Sequence, residues 1–218
     1  MWLSIEATIG AGKTTLCRKL REHFFGSSII SIIEEPVQKW IDVGILQKFY
    51  DDQQRWSYTF QSYTFLTRME EIMSAEASLS DINIVERSIF SDRKIFAESL
   101  HSSGKMTDTE WEMYCQWWNW LSEECFRRIG KPSGYIYLRV DPQIAYERMN
   151  KRNRSEENGV PFDYLQQNVE KHDSWLLNEP NVLVIDANED FEEDDVKFQE
   201  LVQKISNFIQ ELQVVPSR

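Results

Sequence analysis

Lys13 and Thr14 end a glycine-containing segment that could bind phosphate. The segment follows an apolar run and opens an amphipathic stretch, and its Gly12-Lys13-Thr14 end matches a Walker A loop. In such a loop, backbone N–H groups and a helix N-terminus surround phosphate oxygens, the lysine contacts the β- and γ-phosphates and the hydroxyl binds Mg²⁺. The usual first glycine is Ala7, which fits only with an ordinary negative φ. We predict a triphosphate site at Gly10, Ala11, Gly12, Lys13, Thr14 and Thr15.

Two acidic positions follow the next apolar runs. Glu35 precedes Pro36, which disfavours the α conformation for the residue before it and holds it in an extended turn. A carboxylate there could take a proton from a hydroxyl lying in line with a γ-phosphate, although its spacing also suits a surface acid. Glu86 and Arg87 follow the third run. Glu86 could supply a carboxylate to the water shell of Mg²⁺, and Arg87 a cation for the negative charge that develops during transfer. The alternative is an ion-pair cluster that caps a helix.

A basic cluster lies in the second half of the chain. Arg148 and Arg152 share one helical face at i, i+4 spacing, and Arg154 follows where the helix pattern ends near Gly159. In an acidic protein, these arginines suggest a lid that closes over phosphates and expels water. An exposed charge run is the alternative.

Short apolar runs alternate with amphipathic stretches, which predicts a doubly wound α/β fold with a five-stranded parallel sheet flanked by helices. The predicted strands are residues 3–6, 29–33, 82–85, 135–140 and 182–185. The predicted helices are residues 13–25, 54–77, 91–100, 108–127, 142–150, 162–177 and 196–212. Ligands of such sheets bind beyond the carboxyl ends of the strands, so chemistry should follow Glu6, Ile33 and Val85. No linker divides the chain, which predicts a single domain over residues 1–218.

The composition of the chain limits the kinds of molecule that it is expected to bind. The 218-residue chain has a formal net charge of −12, which disfavours a polymeric nucleic acid or an anionic membrane. The odd cysteine count of three suggests buried thiols in a reducing compartment. The absence of a leader segment and of a long apolar run indicates a cytoplasmic protein without a membrane span.

Several motifs together closely resemble the deoxynucleoside kinase family. They are the phosphate loop, Glu-Pro-Val-x-x-Trp at 35–40, Arg-Trp-Ser-Tyr-Thr-Phe-Gln-Ser-Tyr at 55–63, Glu-Arg-Ser-x-x-Ser-Asp-Arg at 86–93, the arginine cluster, Lys-His-Asp-Ser-Trp-Leu at 171–176 and Asn-Glu-Asp-Phe at 188–191. The resemblance runs from Leu3 to about Phe208. It implies a P-loop kinase fold with an arginine-rich lid over residues 148–160, ATP or another triphosphate as donor, Mg²⁺, and a homodimer.

The resemblance also implies roles for individual residues. Glu35 would be the base on the 5′-hydroxyl with Arg87 beside it, and Lys13 would complete the catalytic set. Thr14 and Glu86 would hold Mg²⁺. On the sugar, Tyr50 and Glu157 would bind the 3′-hydroxyl, and Tyr50 would crowd the 2′ carbon. On the base, Gln61 would bond to the edge of the ring, and the stacking residues would be Trp40, Phe60 and Phe90. On the donor side, the lid would consist of Arg148, Arg152 and Arg154, and the base of the donor would lie against Asp190 and Phe191.

Arg68 and Asp92 bear on substrate preference. They match the charged pair that the deoxycytidine and deoxyguanosine branch of the family places over the base, which implies that deoxycytidine or purine deoxynucleosides are favoured and thymidine is poor. Thr64 is bulkier than the alanine expected in a deoxycytidine enzyme, so the order among the three favoured bases stays open.

Two other functions remain open. A nucleoside monophosphate kinase would want a fixed arginine rather than the Glu35 carboxylate on the acceptor side. An inactive nucleotide-binding subunit should have lost Lys13, Glu35 or Arg87, and all three are present. In the tryptophan-rich stretch from Trp111 to Trp120, one helical face is expected to pack in the core, and it carries Trp111, Tyr114, Trp118 and the following Leu121. A subunit contact is the alternative for this stretch.

Overall fold

A computed structural model describes residues 1–76, 80–154 and 159–214. Its sheet has five strands in the order β2-β3-β1-β4-β5, and every neighbouring pair is parallel. The strands are β1 (Trp2–Glu6), β2 (Ile30–Ile33), β3 (Ile82–Glu86), β4 (Gly134–Arg139) and β5 (Val182–Asp186). The prediction of a five-stranded parallel sheet is confirmed, with strand ends that differ by no more than one residue.

The helices flank this sheet. They are α1 (Lys13–His23), α2 (Val37–Asp42), α3 (Ile45–Asp51), α4 (Gln53–Glu76), α5 (Ile89–Ser91), α6 (Glu98–Ser102), α7 (Asp108–Ile129), α8 (Pro142–Arg152), α9 (Phe162–Leu176) and α10 (Asp195–Val214), with a π-helical segment at Asp92–Ala97. Within the part of the chain that is described, no helix combines the length and apolar character that crossing a bilayer requires.

Two features of the helices differ from the sequence prediction. Helices α2 and α3 were not predicted, because they span only six and seven residues, too short for a periodic pattern, and are separated at Gly44. The helix predicted over 91–100 is present but irregular, because it comprises the end of α5, the π-helical segment and the start of α6. A π-helical turn inserts an extra residue into the helix, an irregularity that is frequent at functional sites and that hydrophobic spacing does not reveal.

The central strands are buried on both faces, as expected of a parallel sheet. In β1, Leu3 and Ile5 are fully buried on one face, and Ser4 and Glu6 are fully buried on the other. In the tryptophan-rich helix α7, Tyr114 and Trp118 are buried. The core prediction is confirmed for these two residues, whereas Trp117 and Trp120 are exposed.

The strand register brings three carboxyl ends to one edge. Ile5 of β1 pairs with Glu86 of β3, and Val85 of β3 pairs with Ile33 of β2. The loops that leave these strands therefore start side by side, and they carry the phosphate loop, Glu35 and Arg87.

Candidate active site

The loop between β1 and α1 has the backbone of a phosphate cradle. Gly10 and Gly12 have φ values of 80° and 91°, whereas Ala7 is not among the residues with positive φ, as predicted. A Cβ on Gly10 would lie 2.1 Å from the carbonyl oxygen of Ala145, so the loop packs against α8 without space for a side chain. No side chain caps the start of α1. The first N–H groups of this helix can therefore bind an anion.

Lys13 is buried at the start of α1. Its ammonium group donates to the carbonyl oxygens of Thr8 at 2.7 Å and Ala7 at 3.2 Å. Burial and the nearby Arg87 lower the pKa of Lys13 to about 7, against the opposing effect of Glu86 and Glu35. The surroundings of Lys13 thus disfavour its charged form, and a bound anion would favour that form.

Thr14 and Glu86 meet beside the loop. The Thr14 hydroxyl donates to Glu86 Oε1 at 2.7 Å, and the Glu35 N–H donates to Glu86 Oε2 at 3.4 Å. Burial raises the pKa of Glu86, and the neighbouring Glu35 carboxylate adds to the effect. A hydroxyl beside a carboxylate fits Mg²⁺, which takes oxygen ligands and shares its coordination shell with phosphates and waters. The described residues hold no cluster of three or more His, Cys, Asp or Glu side chains suited to a metal, and an ion held largely by phosphates does not require one.

Glu35 lies between three cations. Its Oε1 accepts a hydrogen bond from Arg68 Nη2 at 2.8 Å and lies 3.6 Å from Arg87 Nε. Burial alone would raise the pKa of Glu35, but Arg68, Arg87 and Lys13 outweigh it and hold the pKa below its usual value. The side chain is therefore an ionised carboxylate at neutral pH, ready to accept a proton.

Arg68 and Asp92 form a buried, bidentate ion pair. Arg68 Nε and Nη2 donate to the two carboxylate oxygens of Asp92 at 2.8 and 3.0 Å. Arg68 Nη1 donates to the backbone carbonyl of Glu86 at 3.3 Å, and the guanidinium lies 5.6 Å from the centre of the Trp40 ring. Burial opposes the charge of Arg68, yet Asp92 and Glu35 hold its pKa above the ordinary value. The pair is thus rigid, because each of its members is fixed by at least two bonds.

An aromatic cleft opens beside these charges. It is lined by every described residue predicted to contact the nucleoside except Phe90: Glu35, Trp40, Tyr50, Phe60, Gln61, Arg68, Arg87 and Asp92. The Phe60 ring stacks on Phe49 at 4.4 Å and contacts Trp40 edge-on at 5.8 Å. Gln61 is buried, and its Oε1 has no hydrogen-bond partner among the described residues. The cleft therefore offers aromatic surface together with an unsatisfied amide oxygen, which suits a flat, polar ring.

Phe90 does not line the aromatic cleft. Its ring stacks on Phe126 at 5.4 Å and packs near Trp118 in the core. The phenylalanines among the described residues that line the cleft are Phe49, Phe60 and Phe96, the last from the π-helical segment. Contact of Phe90 with the base stays a prediction, since this side chain packs toward α7.

Sequence reasoning missed several residues of the cleft. They are Ile9, Val37, Leu46, Phe49, Phe96 and Tyr164. The spacing of Phe96, four residues after Asp92, and the position of Phe49 beside Tyr50 could have indicated two of them. Tyr164 belongs to α9, which the fold brings in from far along the chain, and no local pattern marks it.

A second space, the loop pocket, lies against the phosphate loop. It is lined by Gly10, Gly12, Thr15, Arg148, Lys151, Arg152, Asp190 and Phe191, with Glu189 and Glu192. Phe191 is buried, and its ring lies 3.3 Å from the position of a Cβ on Gly12. Of the residues predicted on the donor side, Ala11, Lys13, Thr14 and Arg154 do not line this pocket, and the others do.

The three arginines of the cluster occupy different surroundings. Arg148 donates to the backbone carbonyls of Ala187 at 2.6 Å and Asn188 at 2.8 Å, which ties α8 to the segment after β5. Arg152 lines the loop pocket, whereas Arg154 lines the aromatic cleft. Glu157, predicted at the 3′-hydroxyl, lies outside the described residues, as does part of the predicted lid.

Comparison with known proteins identifies related sequences along almost the whole chain. A family model described as deoxynucleoside kinase matches residues 3–210. A probable deoxycytidine kinase of fowlpox virus is 39% identical, the alignment covering 97% of this chain and 89% of that protein. Deoxycytidine kinase 2 of Gallus gallus is 36% identical over 95% of this chain and 89% of its own length. The mitochondrial deoxyguanosine kinase of Xenopus laevis is 31% identical, with 95% and 89% covered.

Proposed function

Because this chain belongs to the deoxynucleoside kinase family, we propose that it transfers the γ-phosphoryl group of ATP to the 5′-hydroxyl of a deoxynucleoside. One observation carries the proposal. Glu35 at the aromatic cleft and Lys13 in the phosphate loop are close enough for each charge to shift the pKa of the other. An ionised carboxylate this near a phosphate-loop lysine supports an in-line transfer between a hydroxyl at Glu35 and a phosphate at Lys13.

Each charged group has a separate task in this transfer. Glu35 orients the 5′-hydroxyl and takes its proton as the bond to phosphorus forms. Arg87 is buried, and its Nε and Nη1 have no hydrogen-bond partner among the described residues, so they can donate to oxygens of the transferring group. Lys13 leaves its contacts with Ala7 and Thr8 for the β- and γ-phosphates. Thr14 and Glu86 hold Mg²⁺, which neutralises the phosphate charge when it is bound.

The Arg68–Asp92 pair supports a preference for deoxycytidine or purine deoxynucleosides over thymidine. A rigid buried pair has fixed donors and acceptors, and a base that leaves them unmatched costs about 1–3 kcal/mol. The unsatisfied Gln61 Oε1 is available to an exocyclic amino group. Relatives named deoxycytidine kinase and deoxyguanosine kinase fit the same substrates.

The remaining contacts concern the sugar and the donor. Tyr50 lines the cleft, where it crowds the 2′ carbon and, with Glu157, binds the 3′-hydroxyl. The loop pocket takes the donor nucleotide, with its base against Asp190 and Phe191. Arg152 and Arg154 approach the phosphates as the lid closes. A cytoplasmic location stays a prediction.

An exposed apolar face of α4 and α7 supports a homodimer. Leu66 of α4 and Met113, Trp117 and Trp120 of α7 are 43–62% exposed. Burying such a face against a second copy removes a large apolar area from water. Light scattering should give the mass of a dimer, and Trp120→Glu should give a monomer. Leu177→Glu changes an equally exposed residue outside this face and should leave the dimer intact.

The activity is tested by offering the purified protein ATP, Mg²⁺ and equal concentrations of the four deoxynucleosides. We expect 5′-monophosphates of deoxycytidine and the purine deoxynucleosides, with thymidine the poorest substrate. Phosphorylation of monophosphates but not of nucleosides would instead identify a monophosphate kinase. Nucleotide binding with no turnover of either class would identify an inactive subunit.

A further inference from the structure

Glu6, the last residue of β1, is a buried carboxylate that the proposed reaction does not use. It is completely buried, and its Oε1 accepts hydrogen bonds from the Ser4 hydroxyl at 2.8 Å, the Ser88 N–H at 2.9 Å and the Ser88 hydroxyl. Burial raises the pKa of Glu6, while the bonds from Ser88 and Ser4 and the charge of Arg87 oppose the shift. Burying an acid is costly unless it is well bonded, so its contacts suggest a specific task.

The turn that Glu6 holds has an unusual backbone. Arg87 has a φ of 62° and is one of few described non-glycine residues with positive φ. Such conformations persist only where surrounding contacts fix them, and they concentrate at functional sites. The Arg87 N–H still continues the β1–β3 ladder by donating to Ile5 at 2.9 Å. The next N–H, of Ser88, is turned out of the ladder and is accepted by the Glu6 side chain instead.

The same turn begins the segment that carries Asp92. Ser88 is the N-cap of α5, and its hydroxyl accepts from the Phe90 N–H at 3.3 Å while donating to Glu6. The Ser88 carbonyl accepts from the Ser91 hydroxyl at 2.8 Å. Both Arg87 and the residues leading to the π-helical segment are thereby tied to the end of β1, which also leads into the phosphate loop.

We propose that Glu6 is a positioning residue that holds the Arg87–Ser88 turn, so that the Arg87 guanidinium points into the cleft toward the transferring phosphoryl group. This inference rests on the proposed function, because it acts through Arg87. Glu6 itself contacts neither substrate. Its carboxylate links the β1 end of the phosphate loop to the arginine on the opposite side of the phosphoryl group, so the two keep a fixed separation.

The central test compares Glu6→Met with Ser4→Ala. The first variant keeps about the length of the side chain but removes both oxygens, including the one that accepts from the Ser88 N–H and hydroxyl. The second removes a hydrogen bond to the same Oε1 but leaves the Ser88 turn attached. For Glu6→Met we expect kcat to fall about tenfold to a hundredfold, as for a misplacement near 1 Å, with little change in the KM for deoxycytidine. Ser4→Ala should keep the wild-type kcat. Equal losses in both variants would overturn the proposal.

Binding measurements separate positioning from general damage. Calorimetry with deoxycytidine and with its 5′-monophosphate should show that Glu6→Met weakens only the binding of the monophosphate, whose phosphate reaches Arg87. In an Arg87→Met background, Glu6→Met should cause no further loss of monophosphate affinity. A loss that persists undiminished in that background contradicts the proposal.

Two further points keep the test decisive. If Glu6→Met does not fold, Ser88→Ala removes the hydroxyl bond of the same link, while the Ser88 N–H bond remains. It should lower kcat by a smaller factor than Glu6→Met is expected to, and it is compared with Ser4→Ala in the same way. Failure of the proposed function is distinguishable, since it would appear as a wild-type protein that phosphorylates no deoxynucleoside. Failure of the positioning role would appear in an active wild type whose variants do not differ.

Discussion

Arg68 contacts the Glu35 carboxylate at 2.8 Å and the Asp92 carboxylate at 2.8 and 3.0 Å with a single guanidinium. The group proposed to select the base is therefore bonded to the group proposed to take the proton. A change made in the base pocket is transmitted to the ionisation of Glu35. Substrate preference and pH dependence should consequently change together, which the first two predictions use.

Replacing Arg68 by Met and Asp92 by Ala together should improve thymidine relative to deoxycytidine. The double variant removes the rigid pair and opens space over the base. It also avoids removing Arg68 alone, which would leave the buried Asp92 carboxylate without its ion-pair partner at a cost of about 3–5 kcal/mol. Competition between the two nucleosides measures the change, and Arg68→Met alone should lose stability in thermal unfolding. An unchanged preference would mean that the base binds elsewhere.

The same double variant should need a higher pH for activity. The pKa of Glu35 is held below its usual value partly by Arg68, and the carboxylate accepts a proton only when ionised. Activity is therefore lost as pH falls through this pKa, and removal of Arg68 raises the pKa. The acid limb of kcat/KM should move to higher pH, while Arg93→Met, which changes an arginine paired with Asn119, should leave it in place. An acid limb identical to the wild type would argue against Glu35 as the titrating group.

Glu35→Gln should reduce kcat strongly while nucleoside binding is retained. Transfer of a proton to a positioned base contributes about 10²–10⁴ in rate, and the amide cannot accept that proton. It can still bond to Arg68. Single-turnover rates and calorimetric titration with deoxycytidine measure the two effects, and Glu34→Gln serves as the neighbouring control. Full activity in Glu35→Gln would assign the base to another carboxylate.

Binding of a triphosphate should take up a proton at Lys13. The pKa of this lysine is about 7 in the protein, so at pH 8 most of it is neutral until phosphate oxygens favour the charged form. We expect uptake of about one proton at pH 8 and much less at pH 6, with affinity falling as pH rises above 7. The binding enthalpy of a non-hydrolysable ATP analogue is measured in buffers of different ionisation enthalpy, and its slope against that ionisation enthalpy gives the number of protons taken up. Lys13→Arg, whose side chain is always charged, should show no uptake. A slope of zero for the wild type would disprove the prediction.

Gly10→Ala should destabilise the protein more than Gly104→Ala. Both glycines have positive φ, at 80° and 71°, so both substitutions carry a backbone cost of about 1–2 kcal/mol. Only the Gly10 side chain would collide with a neighbour, the carbonyl oxygen of Ala145 at 2.1 Å. Thermal unfolding of the two variants isolates the collision, and nucleotide affinity should fall only for Gly10→Ala. Equal melting temperatures would show that the loop can move away from α8.

Much of the fold could be predicted from local pattern. The strands were predicted to within one residue, since buried parallel strands are short, continuous apolar runs. Lys13, Glu35 and Arg87 could be expected to meet, because parallel strands bring their carboxyl ends to one edge and these residues follow three such ends. The family motifs also predicted which aromatic and charged residues contact the nucleoside.

What local pattern could not predict depends on contacts between distant segments. The sequence by itself determined that a phosphate loop, an acid and an arginine would lie at one edge of a sheet. Only the tertiary structure decided that Phe96 lines the cleft while Phe90 packs against α7, because local spacing does not show which neighbour a short helical turn faces. It also decided that Arg68 joins Glu35 to Asp92 and that Glu6 accepts the Ser88 N–H across 82 residues, since hydrogen bonds between distant segments leave no periodicity in the chain.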